Sequence, residues 1–268
     1  MMKTAVVQMS STDDKRANIE KAVFYVRKAI RRKAKFVLLP EMFIYRGQIN
    51  QAERTLLAES IPGPTVKIFQ KIAQAERISI LMGSIYEKVD KYKKVCNTSI
   101  FIDQNGQIKG RYRKIHLFDA IVQKEKIMES TNFIPGKRKV LVDLKPFKLG
   151  MAICYDIRFS NLFHSYTMKG ATVICLPSAF TLLTGRDHWE VLLRARAIEN
   201  MCYVLAPNQV GPDNRNGHHF GHSMIIDPWG KILACANRNE ENVIYADLDI
   251  NKVNQLRKRF PGRFKIKE

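Results

Sequence analysis

Apolar residues recur along the chain in two rhythms, and the alternation of those rhythms predicts its elements. Residues 4–9, TAVVQM, read as a strand. Ile19, Val23, Val26 and Ile30 follow at spacings of four, three and four, the stripe of an amphipathic helix over residues 16–33. Its basic end, RKAIRRK, complements the negative C-terminal end of the helix dipole. KFVLLP is a short buried strand stopped by Pro40. GPTVKIFQKIAQAER predicts a helix with Pro64 in its first turn, leading into the strand ISILMGSIY. VCNTSIFID and QIKGRYRK pair as a hairpin across Asn105-Gly106, a strong turn signal.

The second half repeats the alternation. FKLGMAIC is a strand, RFSNLFHSYTMKG a helix ended by Gly170, and ATVICLPSA a strand. DHWEVLLRARAIENM predicts a long helix and CYVLAPNQ the strand after it. GHSMIIDPWGKILACA is a second hairpin, NVIYADLDI a final strand and NKVNQLRKRF a terminal helix. Strands and helices alternate without linker, repeat or low-complexity tract, so the expected fold is layered α/β in one domain, residues 1–268.

Composition narrows the partners. The formal charge is +20 over 268 residues, which suits an enzyme that attracts anionic substrates and also permits a basic nucleic-acid-binding protein. No nucleic-acid-binding signature accompanies the lysines and arginines, so they read mostly as solvated surface, with no specific nucleic-acid partner. No 18-residue apolar run offers a membrane span, and MMKTAVVQMS is too short for a signal-peptide core; the expectation is a soluble cytoplasmic protein. The five cysteines, at 96, 154, 175, 202 and 235, are odd in number and contain no CxxC pair, which excludes a disulfide framework or thiolate zinc site. Cys175, Cys202 and Cys235 sit within or beside apolar runs and read as small buried hydrophobes.

Candidate chemistry gathers where predicted strands end, as working residues do in α/β folds. Glu41 follows KFVLLP, Lys114 follows QIKGRYR and Cys154 closes FKLGMAI. Taken singly, a strand-terminal Glu or Lys is an ordinary solvated group. Together they are self-consistent for acyl transfer. A thiol is a poor nucleophile until it loses its proton, so it needs a base and an electropositive setting. Cys154 precedes a predicted helix N-terminus, where free N–H groups and the dipole favour the thiolate. A carboxylate can take its proton, and an ammonium can neutralise an oxyanion. A papain-like Cys–His pair is the rival, since the chain has six histidines, but nothing in the sequence assigns one to Cys154.

Other groups read as support. Asp156 and Arg158 are expected to pair locally after the cysteine, and Arg196 with Glu199, at i and i+3 on one helix. Trp189 reads as core or subunit contact. NGHHFGH clusters His218, His219 and His222, but adjacent histidines on a strand face opposite sides and no fourth ligand is evident. That segment reads as a loop entering a strand, with no metal.

Five blocks carry a family resemblance: LPEMF, RYRKIHLFD, GMAICYDIRF, LPSAFTLLTGRDHWEVLLRARAIEN and GHSMIIDPWG. In this order, over nearly the whole chain, they resemble the carbon–nitrogen hydrolases of the nitrilase superfamily. The resemblance implies a four-layer α-β-β-α sandwich, usually a homodimer, and a Glu–Lys–Cys triad falling on Glu41, Lys114 and Cys154. It implies a further glutamate at Glu129, in MESTNFIPG, with Glu125 the alternative because DAIVQKEKIMES lacks the usual Pro-Gly turn. The backbone N–H of Tyr155 would complete the oxyanion site, and no cofactor is implied. The last two blocks look most like the branch that hydrolyses deaminated glutathione, followed by the ω-amidases of small 2-oxo-acid amides; nitrilases and N-carbamoyl hydrolases share the triad. Each of the first two substrate types is a small anionic amide. Where the family commonly has RFPEL this chain has RFSNL, so Ser160 and Asn161 replace a proline and a carboxylate, which puts the expected pocket rim in question.

Overall fold

The structure is a computed structural model of the chain and describes residues 1–89, 94–122, 125–212 and 217–264. The first half runs β1 (Met2–Gln8), α1 (Lys15–Arg31), β2 (Phe36–Leu38), α2 (Gln51–Leu57), α3 (Pro64–Glu76), β3 (Ser79–Glu87), β4 (Cys96–Ile102) and β5 (Ile108–Arg113). A hairpin of β6 (Asp119–Val122) and β7 (Glu125–Met128) follows. The second half continues with β8 (Leu141–Leu144), β9 (Phe147–Met151), α4 (Ser160–Met168) and β10 (Val173–Cys175). Next, α5 (Leu182–Thr184) passes through a π turn into α6 (Glu190–Asn200). The chain ends with β11 (Tyr203–Ala206), β12 (Val210–Pro212), β13 (His218–Phe220), β14 (Met224–Ile226), β15 (Ile232–Cys235), β16 (Asn242–Leu248) and α7 (Ile250–Arg259).

Two six-stranded sheets carry the fold, in the orders β16-β1-β2-β3-β4-β5 and β15-β14-β11-β10-β9-β8. Each has three parallel strands at its centre, β1-β2-β3 and β9-β10-β11, with antiparallel strands outside. The period of two along each strand builds the layers. Val6, Phe36, Leu38, Leu81 and Phe101 share one core with Leu149, Met151 and Leu205 of the second sheet. Their chain neighbours Ala5, Val7, Val37, Leu39, Ile80 and Ile100 share the other with Val26 of α1 and Phe69 of α3. On the far side, α4 and α6 contribute Phe163, Tyr166, Leu193 and Ala197. The result is the expected α-β-β-α sandwich. Because the central strands are covered on both faces, they read as continuous apolar runs rather than alternating ones.

Several elements depart from the sequence reading. Within DAIVQKEKIMES, which reads as a loop in the sequence, Asp119–Val122 pairs with Glu125–Met128 as β6 and β7, and α2 and β8 went unread. His218 and His219 lie on β13, paired with β12, rather than in a loop entering a strand. Cys235 is exposed, not core: it ends β15, the edge strand of its sheet, where one flank has no neighbour to cover it. Cys175 and Cys202 are fully buried as expected.

Candidate active site

Three strand ends deliver Glu41, Lys114 and Cys154 to one pocket. Glu41 stands just beyond β2, on a turn packed against Gly83 of β3; a Cβ there would overlap the carbonyl oxygens of Leu39 and Pro40. The β3–β4 register shifts between Met82 and Ile85, and Ser84 Oγ accepts the Met42 amide at 2.9 Å. Lys114 leaves β5 with its N–H donating to Asn97 O at 2.9 Å and its carbonyl accepting the Gly136 N–H at 2.8 Å. Cys154 follows β9, and its N–H donates to Pro177 O at 2.9 Å, beyond the end of the neighbouring strand β10. Met42 and Cys154 hold left-handed φ values of 53° and 46°. Such conformations persist in non-glycine residues only where the surroundings over-determine them. Here the two sheets do so.

The charges are buried and mutually satisfied. Glu41 is 3% exposed and Lys114 1% exposed, so neither relies on water. Lys114 Nζ lies 3.0 Å from Glu41 Oε1 and 2.9 Å from Glu129 Oε2. Asn97 Nδ2 donates to the same Glu41 oxygen at 2.8 Å, and the Phe118 amide donates to Glu129 Oε2 at 2.8 Å. Burial alone would raise the Glu41 pKa, but the Lys114 ammonium, Arg46 and the Asn97 amide outweigh it and hold the carboxyl below its ordinary value. Burial likewise works against the Lys114 ammonium, and Glu129 and Glu41 overcome it, holding that pKa well above the usual one. Both groups are therefore ionised at neutral pH.

The sulfur is different. Burial and the Glu41 carboxylate push the Cys154 thiol well above its ordinary pKa, against the pull of Lys114 and the Ala179 backbone. This overturns the expectation that a helix N-terminus would favour the thiolate. Cys154 begins a 3₁₀ turn, Cys154–Arg158, and α4 starts only at Ser160, so the dipole is weak where the sulfur lies and desolvation dominates. The resting group is a thiol, with a carboxylate beside it. Tyr155 follows in the first turn, where helix geometry leaves N–H groups without intrahelical acceptors.

Asp156 does not pair with Arg158. Its buried carboxylate accepts from Tyr112 Oη at 2.7 Å, the His116 amide at 3.0 Å and the Ile153 amide at 2.8 Å, and His116 Nδ1 lies 2.7 Å away. Those bonds tie the residues on either side of Lys114 to the turn that begins at Cys154. Arg158 instead turns over the rings of Tyr155 and Phe180 and lines the pocket. Arg196 and Glu199 do pair, at 3.0 Å, and Trp189 is wholly core, its Nε1 donating to His222 O at 2.7 Å. His219 Nε2 lies 2.9 Å from Arg46 Nη2. Among the described residues no three His, Cys, Asp or Glu side chains converge as metal ligands. Ser160 and Asn161 face solvent and do not line the pocket, so the departure at RFSNL leaves its rim intact. The Glu125 side chain lies outside the described residues.

Asn97 and Arg46 were missed in the sequence, and Arg158 was read only as a local partner of Asp156. Asn97 had a signal: an amide inside the apolar run VCNTSIF must find a buried partner. Arg46 had none, because a basic residue in a loop of a chain this basic is unremarkable.

Residues 3–258 match the sequence profile of the carbon-nitrogen hydrolases. A Synechocystis protein named deaminated glutathione amidase is 39% identical over 262 residues, spanning 96% of this chain and 95% of its own. The human protein named omega-amidase NIT2 is 34% identical over 258 residues, spanning 96% and 92%. The crystal structure of the C. elegans NitFhit protein superposes with a TM-score of 0.92 at 35% identity, covering 99% of this chain; the chain spans 65% of that longer one. No described helix is long and apolar enough to cross a membrane. From its N-terminal strand to its last helix, the chain belongs to the carbon–nitrogen hydrolase family.

Proposed function

We propose that the protein hydrolyses the carbon–nitrogen bond of a small anionic amide through a thioester on Cys154. The observation that carries the proposal is the buried Glu41–Lys114 pair, 3.0 Å apart, lining one pocket with the thiol. Glu41 accepts the Sγ proton as the sulfur attacks the amide carbon. The carbonyl electron pair moves onto oxygen, where the Lys114 ammonium and the Tyr155 N–H hold it. Collapse of that adduct breaks the C–N bond, and Glu41 returns its proton to the departing amine. A water then gives a proton to Glu41 while its oxygen attacks the thioester, and the thiol leaves with that proton restored. Glu129, bonded to Lys114 and to the Phe118 amide, fixes the ammonium. The scheme calls for no metal or organic cofactor.

Substrates of the deaminated-glutathione kind, cleaved to 2-oxoglutarate and a dipeptide, fit the relatives and the charge. Arg158 in the pocket wall suits a carboxylate on the acyl half, and the +20 surface would steer an anion inward. ω-Amidase action on 2-oxoglutaramate is the second reading, favoured by the human relative. The partner we infer is a second copy of the chain, meeting the exposed apolar residues Val191, Ile198 and Trp229. The setting we infer is the cytoplasm, where five unpaired cysteines stay reduced. Amine or ammonia release from deaminated glutathione, 2-oxoglutaramate, aliphatic amides, nitriles and N-carbamoyl amino acids tests the reaction class. Hydrolysis confined to the first two supports it, and no turnover of any amide sinks it.

A further inference from the structure

The Glu41–Lys114 pair divides its hydrogen bonds unevenly. Glu41 Oε1 accepts twice, from Lys114 Nζ at 3.0 Å and from Asn97 Nδ2 at 2.8 Å. Among the described residues nothing donates to Oε2. One ammonium proton goes to Glu41 and one to Glu129 Oε2 at 2.9 Å, which leaves the third for the pocket. We infer that Asn97 is a positioning residue: by pinning Oε1 together with Lys114, it turns Oε2 of Glu41 to the thiol as the oxygen that takes and returns the proton. The inference rests on the amide-hydrolase reading above and assigns the atoms of that site.

Two features set Asn97 apart from a side chain that merely packs. It holds both members of the pair, since its carbonyl oxygen accepts the Lys114 N–H at 2.9 Å while its side chain reaches Glu41. Antiparallel pairing of Asn97 with Tyr86 fixes the backbone that does so. The second feature is a cost. Asn97 is buried, and its Oδ1 has no hydrogen-bond partner among the described residues. A buried acceptor left unpaired is destabilising, and a side chain kept only for packing would strand no polar atom there. The amide cannot relieve this by turning over, because Oδ1 would then face the carboxylate oxygen. The stranded atom marks a side chain held for its donor.

The other charges near the carboxyl do not replace that donor. Lys114 and Glu129 stand on one side of Glu41, Arg46 on its own loop, and Cys154, Tyr155 and Arg158 line the rest of the pocket. Arg46 and Glu129 also line an adjoining cavity of about 680 Å³, against about 40 Å³ for the thiol pocket, so solvent can screen them. Lys114 and Asn97, each 1% exposed, are beyond that screening. An ammonium is a point charge with rotatable donors, so alone it would let the carboxylate swing about Oε1. The planar amide adds the second direction that stops the swing.

The experiment replaces Asn97 at nearly constant shape, removing the donor in Asn97→Leu and reversing it in Asn97→Asp. Two quantities are followed against pH. One is kcat and KM for an amide that the wild type cleaves; the other is the rate at which iodoacetamide alkylates Cys154, read on the peptide that carries it. In Asn97→Leu, kcat should fall about ten- to a hundredfold with KM within about twofold of wild type, as a misdirected base would give. The pH at which kcat and alkylation fall away on the acid side should rise by about one unit, because a donor that favours the charged carboxylate is gone. Asn97→Asp sets a second carboxyl against Glu41 and should move both further. Either variant alone decides the point, should the other not fold. Unchanged kcat overturns the inference, and so does a fall in kcat with the acid-side pH unmoved, which is what a packing role would give. If the wild type cleaves no amide, the hydrolase reading falls, while alkylation still decides whether Asn97 directs Glu41 to the thiol.

Discussion

The two adjoining spaces are built in opposite ways. The thiol pocket stands on the ends of β2, β5 and β9, its charges paired and its backbone held in left-handed turns by both sheets. The larger cavity is walled by the loop after Met42, by α2 and by the β6–β7 hairpin. No residue of α2 is buried, and β6–β7 is a two-stranded sheet separate from the sandwich. The chemistry proposed for the first thus draws on the stability of the whole core, whereas the larger cavity rests on elements that can shift or open without unfolding it. Changes in the first should cost activity and stability together or activity alone; changes in the second should move affinity.

Cys154→Ala breaks the comparison at its strongest point. Turnover should fall by at least about a thousandfold, since nothing else in the pocket forms the acyl bond. Unfolding free energy should stay within about 1 kcal/mol of wild type, because the substitution removes only the thiol and leaves the backbone bond to Pro177 in place. Calorimetry should still show the uncleaved amide binding with near wild-type affinity. Loss of binding along with turnover would mean that the two spaces do not divide the work.

Lys114→Met tests the coupling of site and core. It leaves the Glu41 carboxylate buried without its ammonium, and breaking such a pair from one side costs about 3–5 kcal/mol. Chemical denaturation reads this directly. The pH dependence follows from the directions of the shifts. Glu41 is depressed, so its contribution to stability is present above the ordinary carboxylate value and is lost as pH falls through the lower folded value. Lys114 is raised, so its contribution is present below the ordinary ammonium value and is lost as pH rises through the higher folded value. The contribution of this pair to wild-type stability should therefore be flat across neutral pH. In the variant, burial lifts Glu41 against only Arg46 and the Asn97 amide, and stability should decline as pH rises toward neutral. A flat profile in the variant would show that the pair does not carry the site.

How much of this was legible in the sequence follows the same division. Apolar runs flanked by Pro40, Gly170 and Asn105-Gly106 located the strands of both sheets except the edge strand β8, because strands covered on both faces have little freedom in composition. Glu41, Lys114 and Cys154 stood out at strand ends, and the family resemblance brought in Glu129. What the sequence hid lay in the other region. α2 has no buried face, so no apolar stripe announced it, and β6–β7 gave a weak pattern ending in charged residues. The Asp156 contacts were hidden for a different reason: its partners Tyr112 and His116 are distant in sequence, and the nearby Arg158 offered a plausible local pair. The thiol's protonation state was also out of reach, because it depends on burial rather than on neighbours in the chain.

The finest test of the comparison is Asn50→Ala. Asn50 caps α2: its side chain accepts the Glu53 amide at 3.0 Å, and Glu53 accepts the Asn50 amide at 2.8 Å. Losing that cap should weaken α2 by about 1 kcal/mol, or roughly a fivefold rise in local opening. Because α2 buries no residue, global unfolding should move by less than about 0.5 kcal/mol. Hydrogen exchange should quicken at residues 51–57 and nowhere in β1 or β9. KM for the amide substrate should rise a few-fold, since Asn50 and Arg54 line the cavity that adjoins the thiol pocket at Arg46 and Glu129, while kcat holds because the strand ends are untouched. If kcat fell instead with KM constant, the helix would be positioning the reacting groups, and the line drawn between the two spaces would be in the wrong place.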